Sequence, residues 1–248
     1  MKTFFPVSCS CERERVGARC STRSRSQLLK SRMRRIFGTI GLLIVTRLGS
    51  TGMLCAADAG QVLFDGKSLK GWMQSDFEGE GAIKIENPFQ GGPGVIVIEA
   101  GTTLSGITWT NGASLPRTNY EISLEAMRLK GSDFFCALTF PVGKSACSFV
   151  VGGWGGVVVG LSSVDHSDAA DNETSQSREF VDHRWYRIRV RVTDEKIEAW
   201  IDAEPMVDLE TKGRTISIRP GDIQRSLPLG IATYMTRAAV RDIRLRRL

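Results

Sequence analysis

The strongest constraint on this chain is a period of two. Tyr120, Ile122, Leu124 and Ala126 alternate with polar neighbours, as do Ile188, Val190 and Val192 with Arg187, Arg189 and Arg191. Ile197, Ala199 and Ile201 repeat the pattern, and Val240, Ile243 and Leu245 follow near the end. Val95–Ile98 and Val157–Val159 are β-branched runs. An extended backbone sends successive side chains to opposite faces, so this alternation describes strands with one buried and one wet face. No long stretch carries apolar residues at three- and four-residue spacing free of glycine or β-branched runs, which removes helices from the reading. About a dozen short strands, punctuated by Gly, Asp, Asn or Pro, predict an all-β fold of two sheets packed as a sandwich. Trp185, Ile188, Val190, Trp200 and Ile243 are expected in its core.

Charge is unevenly placed. The formal net charge is +6, yet residues 1–35 alone hold ten basic residues against Glu12 and Glu14. From Asp58 onward the count is 22 basic against 25 acidic. Phosphate recognition needs positive charge on the folded surface, so no nucleic-acid partner is expected. The arginines at 187, 189 and 191 read as the solvated face of a strand, balanced by Glu195, Glu198 and Asp202.

Arg34 and Arg35 precede an eleven-residue apolar run, Ile36 to Thr46, and Cys55-Ala56-Ala57 follows. A basic start, a short apolar core and a small-residue exit predict a secretory signal cleaved after Ala57. Residues 1–57 are thus a leader, residues 58–248 one mature domain, and the protein is exported to the periplasm or beyond. The run is shorter than the about 20 residues of a spanning helix, so no stable membrane span is expected in the mature chain. Residues 1–32 fit no part of a signal; they are either a basic arm or an upstream extension, with Met33 as the start. Cys9, Cys11 and Cys20 lack the spacing of a zinc site. Export leaves Cys136 and Cys147, for which an oxidising compartment permits a disulfide. A two-residue turn at Pro141-Val142 sets them opposite each other; a bulge at Gly143 puts them on opposite faces.

Val62-Leu63-Phe64-Asp65-Gly66-Lys67-Ser68-Leu69-Lys70-Gly71-Trp72 resembles the opening of the bacterial 3-keto-disaccharide hydrolase domain family. Trp185–Ile188, Ile197–Asp202 and the closing Val240–Leu248 resemble later strands of that family, so the likeness runs over about residues 61–248. The resemblance implies a concanavalin-A-like jelly roll acting on carbohydrate, with no cofactor. Two segments depart from the family pattern: Ser132-Asp133-Phe134-Phe135 stands where an Asn-Ser-Gly is usual, and Tyr234-Met235-Thr236-Arg237 where a His-Gly is usual; in addition Ala203 replaces the Gly of an Asp-Gly turn.

The reaction that the resemblance implies begins with a keto group at sugar carbon three, which acidifies the proton on carbon two. A base removes it, a cation or hydrogen-bond donor holds the enolate, and the glycosidic oxygen leaves carbon one. Glu125, Arg128, Lys130 and Asp133 cluster on one strand and its turn. Asp133 is the candidate base, with Lys130 or Arg128 on the enolate oxygen and Glu125 and Arg128 as sugar contacts; the bland reading is strand-end solvation. Glu125 and Arg128 point to opposite faces unless a bulge intervenes. His183 is placed at a cleft rim or on plain surface. Trp154, among Gly152, Gly153, Gly155 and Gly156, is either a flat platform for a sugar or a core residue at a kink. Ser162 to Asp182 is a long polar segment whose carboxylates match no calcium loop, so no metal site is expected. Two functions compete: an enzyme on 3-keto-glycosides, and a carbohydrate-binding or surface module without catalysis. An adhesive domain with no sugar site is a third.

Overall fold

The computed structural model describes residues 60–248. The basic leader, the signal, the alternative start at Met33 and the four early cysteines lie outside the described residues. In chain order the strands are β1 (Gln61–Val62), β2 (Trp72–Gln74), β3 (Ile83–Glu86), β4 (Val95–Ile98), β5 (Leu104–Trp109), β6 (Tyr120–Lys130), β7 (Cys136–Val142) and β8 (Ser145–Gly153). They continue as β9 (Val158–Ser162), β10 (Gln176–Ser177), β11 (Trp185–Val192), β12 (Lys196–Ile201), β13 (Glu204–Glu210), β14 (Gly230–Tyr234) and β15 (Arg237–Arg247). Helix among the described residues is confined to two 3-10 turns, Gly112–Ser114 and Asp222–Ser226.

One sheet has eight strands, ordered β13-β12-β11-β6-β15-β4-β3 with β1 added to β15; the other has seven, ordered β10-β9-β8-β7-β14-β5-β2. The core lies between them. Tyr120, Ile122, Leu124, Ala126, Ile188 and Val190 from the first sheet meet Leu138, Phe140, Phe149, Val151, Leu161 and Ile231 from the second. The all-β sandwich expected from the alternation is the fold observed.

Trp185 and Trp200 correct the expected core. Ile188 and Val190 point inward, so Trp185, an odd number of positions away, faces out; Trp200 does so between inward Ala199 and Ile201. Both are half-buried there, Trp185 against an outer cluster of Phe89, Val95, Val97 and Met127, and each is covered by an arginine. The Arg241 guanidinium lies 3.9 Å from the Trp185 ring centre, and that of Arg189 lies 3.9 Å from Trp200. Cation–π stacking and the aliphatic stem of arginine shield such rings without closing them in a core.

The cysteines resolve differently from either expected register. Phe140 pairs with Cys147 and Val142 with Ser145, so the turn is Gly143-Lys144 and Cys136 lies opposite Val151. Gly143 has φ of 55°, the left-handed conformation that a tight hairpin assigns to glycine. Both thiols are free, buried, and pushed up to about 12 by burial.

The opening motif is architectural. Asp65 accepts hydrogen bonds from the Lys67 and Ser68 amides, both at 2.8 Å, which hold its carboxyl below the usual range. Gly71 has φ of 83°, and a Cβ there would sit 2.5 Å from the Trp109 ring. Trp72 is buried and donates from Nε1 to Leu63 O at 2.8 Å.

Candidate functional site

Strand register builds a groove on the outer face of the seven-stranded sheet. Val150 pairs with Gly160 on one side and Ala137 on the other; Ala137 pairs with Ala232, and Ala232 with Gly106. Directly paired residues share a face, so small side chains cross five strands in one row. The next row runs Ser162, Ser148, Thr139, Gly230 and Thr108. Small side chains leave depth, and the groove has a volume of about 480 Å³ over Ala137, Ser148, Val150 and Ser162.

Its two ends differ. Asp133, Phe134, Trp154, Tyr234 and Leu104 line one; Arg219, Pro220, Asp222 and Ile223 line the other. Trp154 reaches the groove because the turn between β8 and β9 is left-handed four times over: Gly152, Trp154, Gly155 and Gly156 have φ of 79°, 47°, 83° and 96°. At Gly152 a Cβ would lie 3.3 Å from the Phe135 ring, and at Gly156 2.9 Å from Arg128 Nη1. The loop therefore packs Gly152 and Gly156 inward and holds Trp154 outward, 41% exposed.

Asp133 fastens that loop. Its Oδ1 accepts the Phe134 amide at 2.8 Å and its Oδ2 accepts the Gly155 amide at 3.2 Å. The Thr236 hydroxyl stands 3.3 Å from both the amide nitrogen and the carbonyl oxygen of Asp133. The two segments that depart from the family pattern thus meet at this end, where the Tyr234 amide also donates to Phe134 O at 3.1 Å.

Of the residues expected at a site, Asp133 and Trp154 share the groove and four others stand elsewhere. Lys130 is exposed at the end of β6, opposite Arg237. Arg128 lies beneath the Trp154 loop, donating to Asp182 Oδ1 at 2.5 Å and Phe180 O at 2.7 Å. Parity sends Arg128 to the core side of β6, and these bonds occupy it at the sandwich end. His183 is exposed with φ of 61°, its amide on Arg128 O at 2.9 Å, so it belongs to the Arg128 corner and lines no part of the groove. Glu125 faces outward from the other sheet, accepting from Arg241 Nε at 2.7 Å. Arg219 and Asp222 line the groove without a motif to mark them, while Phe134 and Tyr234 fall in the two segments that depart from the family pattern. Only the long-range register of β14 against β5 and β7 brings Tyr234 there.

The polar loop after Ser162 is held by internal bonds. Asn172 Nδ2 donates to Leu161 O and Asp168 O, both at 2.7 Å, while its Oδ1 accepts the Thr174 amide at 2.9 Å. Arg214 bridges Asp165 at 2.8 Å and Glu173 at 2.6 Å, and Arg219 Nε meets Asp168 at 3.3 Å. The Thr215 amide, helped by Arg214, holds the Asp165 carboxyl below the usual range. Among the described residues no group of three His, Cys, Asp or Glu is placed to hold a metal, and no helix is long and apolar enough to cross a membrane.

The sandwich is similar to the carbohydrate-binding module CBM66 from Bacillus subtilis, at 12% identity over 71% of this chain and 95% of that one, with a TM-score of 0.47. It is also similar to domain 4 of an extracellular GH43 arabinanase from Geobacillus stearothermophilus, solved with arabinotriose. There the identity is 13%, the coverage 71% and 82%, and the TM-score 0.46. No curated protein matches the chain. The model of the 3-keto-alpha-glucoside-1,2-lyase-like domain matches residues 59–246, which takes in both sheets and every residue of the groove. The chain therefore belongs to this carbohydrate-active family, the 3-keto-alpha-glucoside-1,2-lyase-like domains.

Proposed function

We propose that the groove cleaves 3-keto-glycosides, with Asp133 as the base. The observation that carries this reading is the placement of a carboxylate beside an exposed tryptophan, above a floor of small side chains. Each Asp133 oxygen accepts one amide, which fixes the carboxylate and leaves a lone pair on each for a proton. Asp133 takes the proton from carbon two, and the electrons of that bond pass into the carbon two–carbon three enolate; as the ketone re-forms, the carbon one–carbon two double bond forms and the glycosidic bond breaks toward oxygen. The departing oxygen takes up the transferred proton, and water then adds to the unsaturated ketone. Arg219, in place of Lys130 or Arg128, holds the enolate oxygen as charge develops there. Its pairing with Asp168 orients the guanidinium.

A second reading is favoured by the same hydrogen bonds. A carboxylate that ties Gly155 to Phe134 serves a binding loop equally well, and the protein is then a carbohydrate-binding module. Incubating the full chain with a 3-keto-glucoside separates the two. Release of the aglycone, followed by chromatography, is the expected result; saturable binding with no release selects the module.

The chain is further proposed to be exported. Secreted material is expected to begin at or near Asp58, since Cys55-Ala56-Ala57 is the small-residue exit after the apolar run. Recovery of residues 1–32 on mature protein by N-terminal sequencing would overturn both the cleavage and the start at Met33.

A further inference from the structure

We infer that the groove takes its glycoside in one direction and selects an aromatic, apolar aglycone. This rests on the reading of the groove as a glycoside site and adds the class of leaving group. The argument is the chemical asymmetry of the two ends. At one, the Ser148 hydroxyl, 2.8 Å from that of Thr139, and the Ser162 hydroxyl, 3.3 Å from Asp168, lie on the floor, with Arg219 and Asp222 on the wall. These are the donors and acceptors that a sugar ring needs to exchange for water. At the other, Phe134, Trp154, Tyr234 and Leu104 form the wall. Trp154 and Tyr234 are 41% and 36% exposed, and neighbouring Met235 is 55% exposed. The charged group at this end is Asp133, whose oxygens already accept the Phe134 and Gly155 amides.

A second sugar placed against this wall would surrender water from its hydroxyls for few partners, at a net cost. An aromatic ring has no such loss. The wall is also preorganised. The Phe134 and Tyr234 rings lie 5.8 Å apart with 34° between their planes. Main-chain bonds fix their segment, Tyr234 N to Phe134 O at 3.1 Å and Met235 N to Thr103 O at 2.9 Å. A tilted pair of fixed rings beside an exposed indole offers a slot in which a third ring gains stacking with little ordering. The orientation agrees with the chemistry: with the aglycone against the aromatic wall, carbons one and two lie at the Asp133 end and the rest of the sugar over the hydroxyl-bearing floor.

The test compares substrates of matched leaving-group acidity: the ethyl and 2-phenylethyl 3-keto-glucosides, both glycosides of primary alcohols, and a 3-keto disaccharide linked through a primary hydroxyl. The expected result is a kcat/KM, or a Kd where binding occurs without release, favouring 2-phenylethyl over ethyl by at least about tenfold. Tyr234→Ser should narrow that ratio several-fold. A ratio near one, or a preference for the disaccharide, overturns the inference while leaving the glycoside reading intact. If none of the three is bound or cleaved, both fall. Sedimentation supplies the last arm: a dimer that Tyr234→Ser dissociates would mean that the aromatic wall is a contact between copies of the chain, and the inference would be wrong.

Discussion

Asp133→Asn is expected to lower turnover of a 3-keto-glucoside by about 10²–10⁴-fold, the usual contribution of a general base. The amide cannot take the proton from carbon two. Binding should weaken far less, because the substrate carries no charge at that carbon until the proton leaves. The substitution has a second consequence that must be measured beside the first. Asp133 presents acceptors to two amides, of Phe134 and Gly155. Asparagine offers one oxygen and one NH2, so one of those amides loses its partner and the Trp154 loop loosens. Steady-state kinetics with an equilibrium Kd for the same glycoside separates the effects. A fall in kcat at near-constant Kd identifies the base. Equal losses of binding and turnover identify a loop tie, and wild-type turnover removes Asp133 from the chemistry.

Phe135→Ala should destabilise the domain by about 3–5 kcal/mol, the range for removing a large ring from a site that cannot collapse. Phe135 is fully buried between the sheets. Its ring meets Phe180 edge to face at 5.1 Å and Tyr186 at 5.9 Å. Tyr186 in turn accepts the Val181 amide at 2.8 Å, so the cluster carries the loop that anchors Arg128. Strands above and below are fixed by ladders, which limits relaxation into the void. Urea denaturation would show the loss as a lower midpoint with an unchanged slope. A change below about 1 kcal/mol would mean that the neighbouring rings refill the space.

The sandwich was legible because alternation is a local property. Ile188, Val190, Ile197 and Ala199 announce their inward face within a few residues, and each points inward. Trp185 and Trp200 do not follow the inward face expected for them, because their spacing from Ile188 and Ile201 is odd and turns both outward. The hairpin of Cys136 and Cys147 differs from both expected registers because its turn lies further along the chain. Proline looked like the turn, yet Pro141 lies inside β7, and the glycine two residues later makes the bend. Within the groove, Trp154 could be picked out because an indole among glycines is unusual in itself, and Asp133 because it stands in the turn that follows a strand carrying Arg128 and Lys130. Tyr234 and Arg219 carry no such mark. They reach the groove through pairings and loops about 65–100 residues distant in sequence from Trp154 and Asp133, and no local pattern encodes that meeting. Lys130 illustrates the converse: nearness in sequence to Asp133 did not bring it into the same groove.

The eight-stranded sheet has its last-made strand near its middle. β15, ending at Arg247, lies between β6 and β4 and also receives β1. A ribosome that has delivered residues 60–236 has therefore made two separate pieces of that sheet, β3 with β4 and β6 with β11 to β13, and each has a bare edge. Val95–Ile98 is buried on both faces in the finished domain. In the nascent chain it is an uncharged, β-branched segment with an open edge, the kind that recruits other chains. Closure of this sheet waits for β15, Arg237–Arg247, which follows every other strand of the domain. The interval before β15 inserts is when the chain is most exposed to aggregation and most in need of a holding chaperone.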